Sequence, residues 1–278
     1  MRIARNLRRI YRTMRVPINE RPIIIYQMGK VGSSSIKYTL SKLFPDRWVT
    51  SCHILTPENF EKQAQYLTDR GVDPANPETQ LLRVEGERIY QLVIQEQRKA
   101  FFITLVRDPI MFNFSRYFQN LNVFFPDVEN LHELPVERLV DRFWEDMRTP
   151  SHYDWGHALR WFDQEIKPVL GIDVYEHSFP REQGYMSVAN KRADLLVLKT
   201  EIPDERKTHA ISEFLQIPDF EIQRANEGHQ KAYADAYEAF KRQIVVPEVE
   251  LNQLLDSRFM HHFYTDDEID AIYRKWRR

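Results

Sequence analysis

A chain of 278 residues is long enough to bury one large core, or one core with an added subdomain. Hydrophobic residues at 42% and charged residues at 29% are ordinary for a globular protein, and a net charge of -2 argues neither for nor against a nucleic-acid partner, and none is expected. The single Cys52 excludes an intramolecular disulfide framework and a multi-cysteine metal site, and it fits a reducing compartment.

Residues 1–15 carry Arg2, Arg5, Arg8, Arg9, Arg12 and Arg15 with no acidic residue, and they lack the apolar stretch of a secretory signal. This segment reads either as a solvated lead-in or as a short basic helix resting on anionic lipid or a partner. Apolar runs such as Ile23-Ile24-Ile25 fall far short of the ~18 residues a membrane span requires. The expectation is a lead-in over 1–20, a single domain over 21–278 and a cytoplasmic location, with peripheral membrane contact through the lead-in as the further option.

In chain order, 22–26 is a short isoleucine-rich run that predicts a buried strand, followed by a glycine-bearing turn and a helix over 36–43. A second strand is expected over 47–53, a helix over 57–70 and a proline-rich loop over 71–77. Residues 78–98 have helical spacing of Leu82, Ile89, Leu92 and Val93. The run 101–106 is apolar except for Thr104 and predicts a strand, after which Arg107-Asp108-Pro109 opens a helix to about Leu121. Residues 135–167 read as helical and aromatic, 172–175 and 195–198 as further strands, and the chain from Pro203 onward as mostly helix. This alternation predicts an α/β fold with a mainly parallel sheet covered by helices.

Two segments carry chemistry. In the turn 27–35, Gly29 and Gly32 permit a tight backbone and close approach to a ligand. The helix that follows directs unpaired N–H groups and its positive dipole end at the turn, which favours an anion, commonly phosphate. Lys30 adds charge, and Ser33, Ser34 and Ser35 add hydroxyl donors. Taken alone, this pattern also describes a serine-capped strand-to-helix turn. It departs from the nucleotide triphosphatase loop, whose lysine follows the second glycine. The second segment is Arg107-Asp108-Pro109 with Ser115 two turns into the next helix. A forked cation and a hydroxyl can converge there on one phosphate, although Arg107 could instead pair with Asp108 at a strand end.

Lys30-Val31-Gly32-Ser33-Ser34-Ser35 resembles the loop with which sulfotransferases hold the 5'-phosphosulfate of 3'-phosphoadenosine 5'-phosphosulfate (PAPS). Arg107-Asp108-Pro109 with Ser115 resembles the 3'-phosphate motif of the same superfamily, with Phe112 standing where a second arginine often occurs. The stretches 161–168, 171–175 and 257–264 resemble the putative capsular polysaccharide synthesis family within the sulfotransferase-like proteins. The resemblance implies a three-layer sandwich of the P-loop nucleotide hydrolase-like sulfotransferase type. It implies PAPS as donor, 3'-phosphoadenosine 5'-phosphate as product, and a carbohydrate or small-molecule acceptor. Gly29, Lys30, Val31, Gly32, Ser33, Ser34, Ser35, Arg107 and Ser115 would bind the donor, and no metal is required. The alternative is a P-loop-type nucleotide-binding protein or kinase without sulfuryl transfer.

Lys30 is the expected stabiliser of charge on the leaving phosphate. His53, at the expected end of the second strand, is the first choice as general base, with capping of Thr56 or solvent exposure as its ordinary roles. Glu85 and Glu87 are the runners-up, or simply a solvated helix face. Trp155 and Trp161 are expected in the core, and Arg258 in solvent.

Overall fold

The computed structural model describes residues 20–75, 77–218, 220–223 and 233–277. The basic segment 1–15 lies outside the described residues. Five strands form one sheet: β1 (Ile23–Tyr26), β2 (Val49–Cys52), β3 (Ala100–Val106), β4 (Tyr185–Ala189) and β5 (Ala193–Lys199), in the order β2-β1-β3-β5-β4. The β2-β1, β1-β3 and β3-β5 ladders are parallel and only β4 runs antiparallel. The fold is α/β, a mostly parallel sheet flanked by helices.

The three central strands are apolar along nearly their whole length because helices cover both faces of a parallel sheet. All four residues of β1 are buried, as are six of the seven in β3 and in β5. Thr104, the polar residue of β3, is buried with them.

The helices are α1 (Ser34–Leu43), α2 (Pro57–Thr68), α3 (Pro77–Ile89), α4 (Pro109–Gln119), α5 (Leu121–Phe124), α6 (Val136–Arg148), α7 (His157–Trp161), α8 (Lys167–Leu170), α9 (Asp204–Leu215), α10 (Ala234–Gln243), α11 (Glu248–Leu255), α12 (Arg258–Phe263) and α13 (Asp266–Trp276). Wider turns continue α3 through Tyr90–Gln95 and join α7 to α8 through Phe162–Ile166. None of the helices among the described residues is long and apolar enough to cross a membrane.

Two expectations need correction. Residues 172–175 do not form a strand. After Gly171 ends α8 in the left-handed region (φ 66°), Asp173 accepts from the Tyr175 N–H at 3.1 Å and closes a 3-10 turn, Val174–Glu176. That local hydrogen bond outcompetes a ladder, and the apolar side chains enter the core instead. The strand β4 was not expected. Its sequence alternates weakly, as an edge strand with one face outward does, and it reaches β5 through a hairpin in which Asn190 Oδ1 accepts from the N–H groups of Arg192 and Ala193 at 2.8 and 2.9 Å.

The helical layer is stitched by aromatic edges. Phe114 of α4 meets Phe143, Phe240 and Trp276 at centroid distances of 5.4, 5.3 and 5.1 Å, so α4 gathers α6, α10 and α13 around one ring. At the end of β5, buried Lys199 donates at 2.6 Å to both oxygens of Glu268, which also closes the capping box of α13 with Thr265.

A buried carboxylate locks the β2–α2 connection. Glu165 accepts from the Tyr26 hydroxyl, the Leu55 N–H (2.8 Å), the Thr56 hydroxyl (2.8 Å) and Asn59 Nδ2 (2.5 Å). Burial pushes its carboxyl up, and these donors pull it back. Glu165→Ala leaves several buried donors unpaired and should destabilise the protein by on the order of 3 kcal/mol, read as a lower urea midpoint with an unchanged slope.

Candidate functional site

The C-terminal edge of the sheet is where loops leave parallel strands, and such an edge is the usual ligand crevice of an open α/β sheet. The turn between β1 and α1 rises from this edge in an unusual conformation. Gly29 (φ 88°), Lys30 (φ 52°) and Gly32 (φ 77°) are all left-handed. For glycine that is free of steric penalty, whereas for Lys30 it costs on the order of 1–2 kcal/mol and persists only because neighbours enforce it.

Those neighbours come from two other strands. Arg107, just past β3, donates through Nη1 to the Lys30 carbonyl at 2.6 Å. Thr200, just past β5, donates its hydroxyl to the Val31 carbonyl at 2.9 Å, while its own N–H bonds Val106 at 2.8 Å. Gln27 accepts from the Gly29 N–H through its side chain. With its carbonyls tied down, the turn leaves the N–H groups of Val31, Gly32, Ser33 and Ser34 without an acceptor among the described residues. Gly32 and Ser34 are exposed and Ser33 half-buried, so their donors lie at the open end of α1, while Val31 is fully buried beneath them. Successive unpaired N–H groups at a helix start form an anion nest.

Side-chain charge converges on the same place. Lys30 Nζ donates to Gln119 at 2.8 Å, which brings the far end of α4 to the turn. Along α4 every residue is buried except Met111, Ser115 and Gln119, a single stripe at four-residue spacing. Ser115 therefore shares the face that meets Lys30. Phe112 takes no part; it is fully buried and stacks on His157 at 5.9 Å. Arg107 has no carboxylate within ion-pair distance among the described residues, so the expected alternative of a pair with Asp108 is not what occupies it. Asp108 instead caps α4, accepting from Ile110 N–H at 2.8 Å. Burial, followed by the nearby Glu201 carboxylate, raises its pKa to about 6.

His53 directly follows β2. Its Nδ1 lies 2.9 Å from the Gln27 carbonyl and must donate there, which leaves Nε2 as the lone-pair nitrogen. Burial lowers its pKa, opposed by the Gln27 carbonyl and reinforced by Lys37 and Lys30, so the ring is neutral at pH 7. Trp161, buried as expected, donates to the His53 carbonyl at 3.2 Å, and Trp155 is buried too. Of the two runners-up, Glu85 accepts from Trp48 (3.3 Å) and Thr50, bracing β2, and Glu87 pairs with Arg83 at 2.7 Å. Arg258 is exposed but not idle: it pairs with Asp163 at 2.7 Å and covers the Tyr175 ring at 3.8 Å.

Residues 156–265 match the family model described as "Putative capsular polysaccharide synthesis protein". No curated protein and no solved structure matches the chain. The matching segment, less than half of the chain, holds Trp161, Glu165, β4, β5, Thr200 and Glu201 but neither the turn 27–35 nor Arg107. It contains the residues that support the site from below.

Lys37 and Thr200 were not anticipated. Lys37 stands in the first turn of α1 and donates to Ser51 at 2.6 Å. A cation there opposes the helix dipole, and that was the legible feature by which the sequence could have singled it out. Thr200 had no signal, because only the sheet order brings it to Val31.

Two outcomes follow. Gly32→Ala meets Thr200 only at an ordinary 3.6 Å, so backbone strain alone should cost about 1 kcal/mol, seen as a lower Tm with weakened inorganic phosphate or sulfate binding. Asp108 has a folded pKa above its unfolded one, so its contribution to stability is complete below about pH 4 and is lost as pH rises through about 6. Asp108→Asn keeps the cap and removes this dependence. Urea titrations should show the variant gaining on the wild type across that window, by up to about 3 kcal/mol.

Proposed function

We propose that this protein is a PAPS-dependent sulfotransferase of the P-loop nucleotide hydrolase-like type, which moves a sulfuryl group to a hydroxyl or amine of a carbohydrate acceptor. The reading is carried by one observation: the guanidinium of Arg107 bonds the backbone of Lys30, so two anion-binding motifs far apart in the chain share one sheet edge. On this reading the two motifs receive the 5' and 3' phosphates of one nucleotide. The family-model match supports a role in polysaccharide synthesis, and so a carbohydrate acceptor.

The donor supplies an activated sulfuryl group, and the protein's residues supply placement and charge. The nest over 32–34 holds the 5' end through N–H donors, with the hydroxyls of Ser33, Ser34 and Ser35 beside it. Arg107 and Ser115 hold the 3'-phosphate, the first through a charged fork and the second through a neutral hydroxyl. Lys30 meets the negative charge left on the 5'-phosphate oxygen as its bond to sulfur breaks. His53 Nε2 takes the proton of the acceptor hydroxyl while that oxygen forms the new S–O bond. Because the ring is already neutral at pH 7, no prior deprotonation is needed.

Thermal-shift titration with 3'-phosphoadenosine 5'-phosphate, ADP and ATP tests the donor. Selective stabilisation by the 3'-phosphorylated nucleotide is expected, and Arg107→Ala should erase the selectivity. With labelled PAPS, Lys30→Ala should lower kcat by about 10²–10³-fold. An equal response to ATP in the wild type sinks the reading.

A further inference from the structure

A second cavity lies away from the nest, between α2 and α6. Its volume is about 500 Å³, within the range of roughly 300–1,000 Å³ typical of small-ligand sites. Most of the lining residues are polar, their carbon atoms make up about half of the lining surface, and the charges are matched. Lys62 pairs with Glu58 at 2.7 Å, Arg142 with Glu145 at 2.8 Å, and Arg70 with buried Asp146. No surplus cation remains to attract a polyanion, since three lysine and arginine residues face three carboxylates, and His152 is held neutral, its pKa lowered to about 4 by burial.

What this lining offers is alternating acceptors and donors. The carboxylate of Asp146 pairs with the guanidinium of Arg70, which lies over the Tyr66 ring at 3.7 Å, and the Asp69 carboxylate accepts from Gln65 at 2.6 Å. Gln65 and Ser151 add neutral groups of both kinds. Two buried nitrogens of lining residues, Arg142 Nε and His152 Nε2, have no hydrogen-bond partner among the described residues. Hydroxyl groups, each at once donor and acceptor, suit such a surface, and a ligand with many of them is a saccharide.

One wall of the cavity is shared with the surroundings of His53. His152 lines it and lines a second, pinhole cavity of about 10 Å³ whose walls include Met28, His53 and Trp161. We propose that the cleft between α2 and α6 binds the body of a neutral saccharide, against the wall that His152 shares with the pinhole beside His53. The role as acceptor site rests on the transferase reading above, while the binding of a neutral saccharide does not.

The test is saturation-transfer NMR on the full chain with a panel of maltose, lactose, cellobiose and N,N'-diacetylchitobiose. At least one should bind. Gln65→Trp, a change at an exposed position of α2 that fills the cleft, should weaken binding at least about tenfold in Kd. Asp69→Ala should weaken it too, without filling the space. Neither variant should change the thermal shift produced by 3'-phosphoadenosine 5'-phosphate. Absence of a signal from every panel member, or signals indifferent to Gln65→Trp, overturns the cleft assignment. Saccharide binding at the cleft with no response to the nucleotide would overturn the transferase reading and leave the cleft standing.

Discussion

The turn after β1 exists in its observed shape because two other strands hold it there. A lysine in the left-handed region does not stay by its own preference. The carbonyls of residues 30 and 31 are fastened by Arg107 from the end of β3 and by Thr200 from the end of β5. Fastening the carbonyls on the protein side is what leaves the N–H groups to a ligand. The local strain, the sheet order and the anion preference are therefore one arrangement seen at three scales.

Behind that turn the molecule is stiffened by buried polar groups, each with its partners in place. Glu165 joins the end of β1, the start of α2 and the wide turn after α7, and Trp161 from the same helical run takes the His53 carbonyl. Lys199 and Glu268 do the same for the C-terminal helix at the far end of β5. Such groups cost desolvation energy when placed in a core, so they add little net stability against an apolar replacement. Their geometry is selective, since any shift of one helix strands several donors at once.

A division of labour runs along the chain. The N-terminal half supplies the groups that would touch a nucleotide: the turn, His53, Arg107 and the stripe of α4. The segment similar to the capsular polysaccharide synthesis family supplies Thr200, Glu201 and the Glu165 and Trp161 contacts that position them. The cleft between α2 and α6 has His152 in common with the pinhole beside His53.

Much of this was legible in the amino-acid sequence because short-range rules govern it. Continuous apolar runs marked β1, β3 and β5, since a strand covered on both faces has no polar side to show. Glycines at 29 and 32 marked the turn, since only a left-handed backbone needs them there, and Asp108-Pro109 marked the start of α4. Weak or competing local signals hid the edge strand β4, whose outer face is unconstrained, and the turn at 174–176, where one aspartate decides against a ladder. Only tertiary structure could decide that Arg107 and Thr200 meet the turn at all, that Phe112 is core, and that Glu165 is a lock, because each depends on strand order and helix packing between residues remote in the chain. Sequence spacing carries no information about which carbonyl a distant side chain will reach.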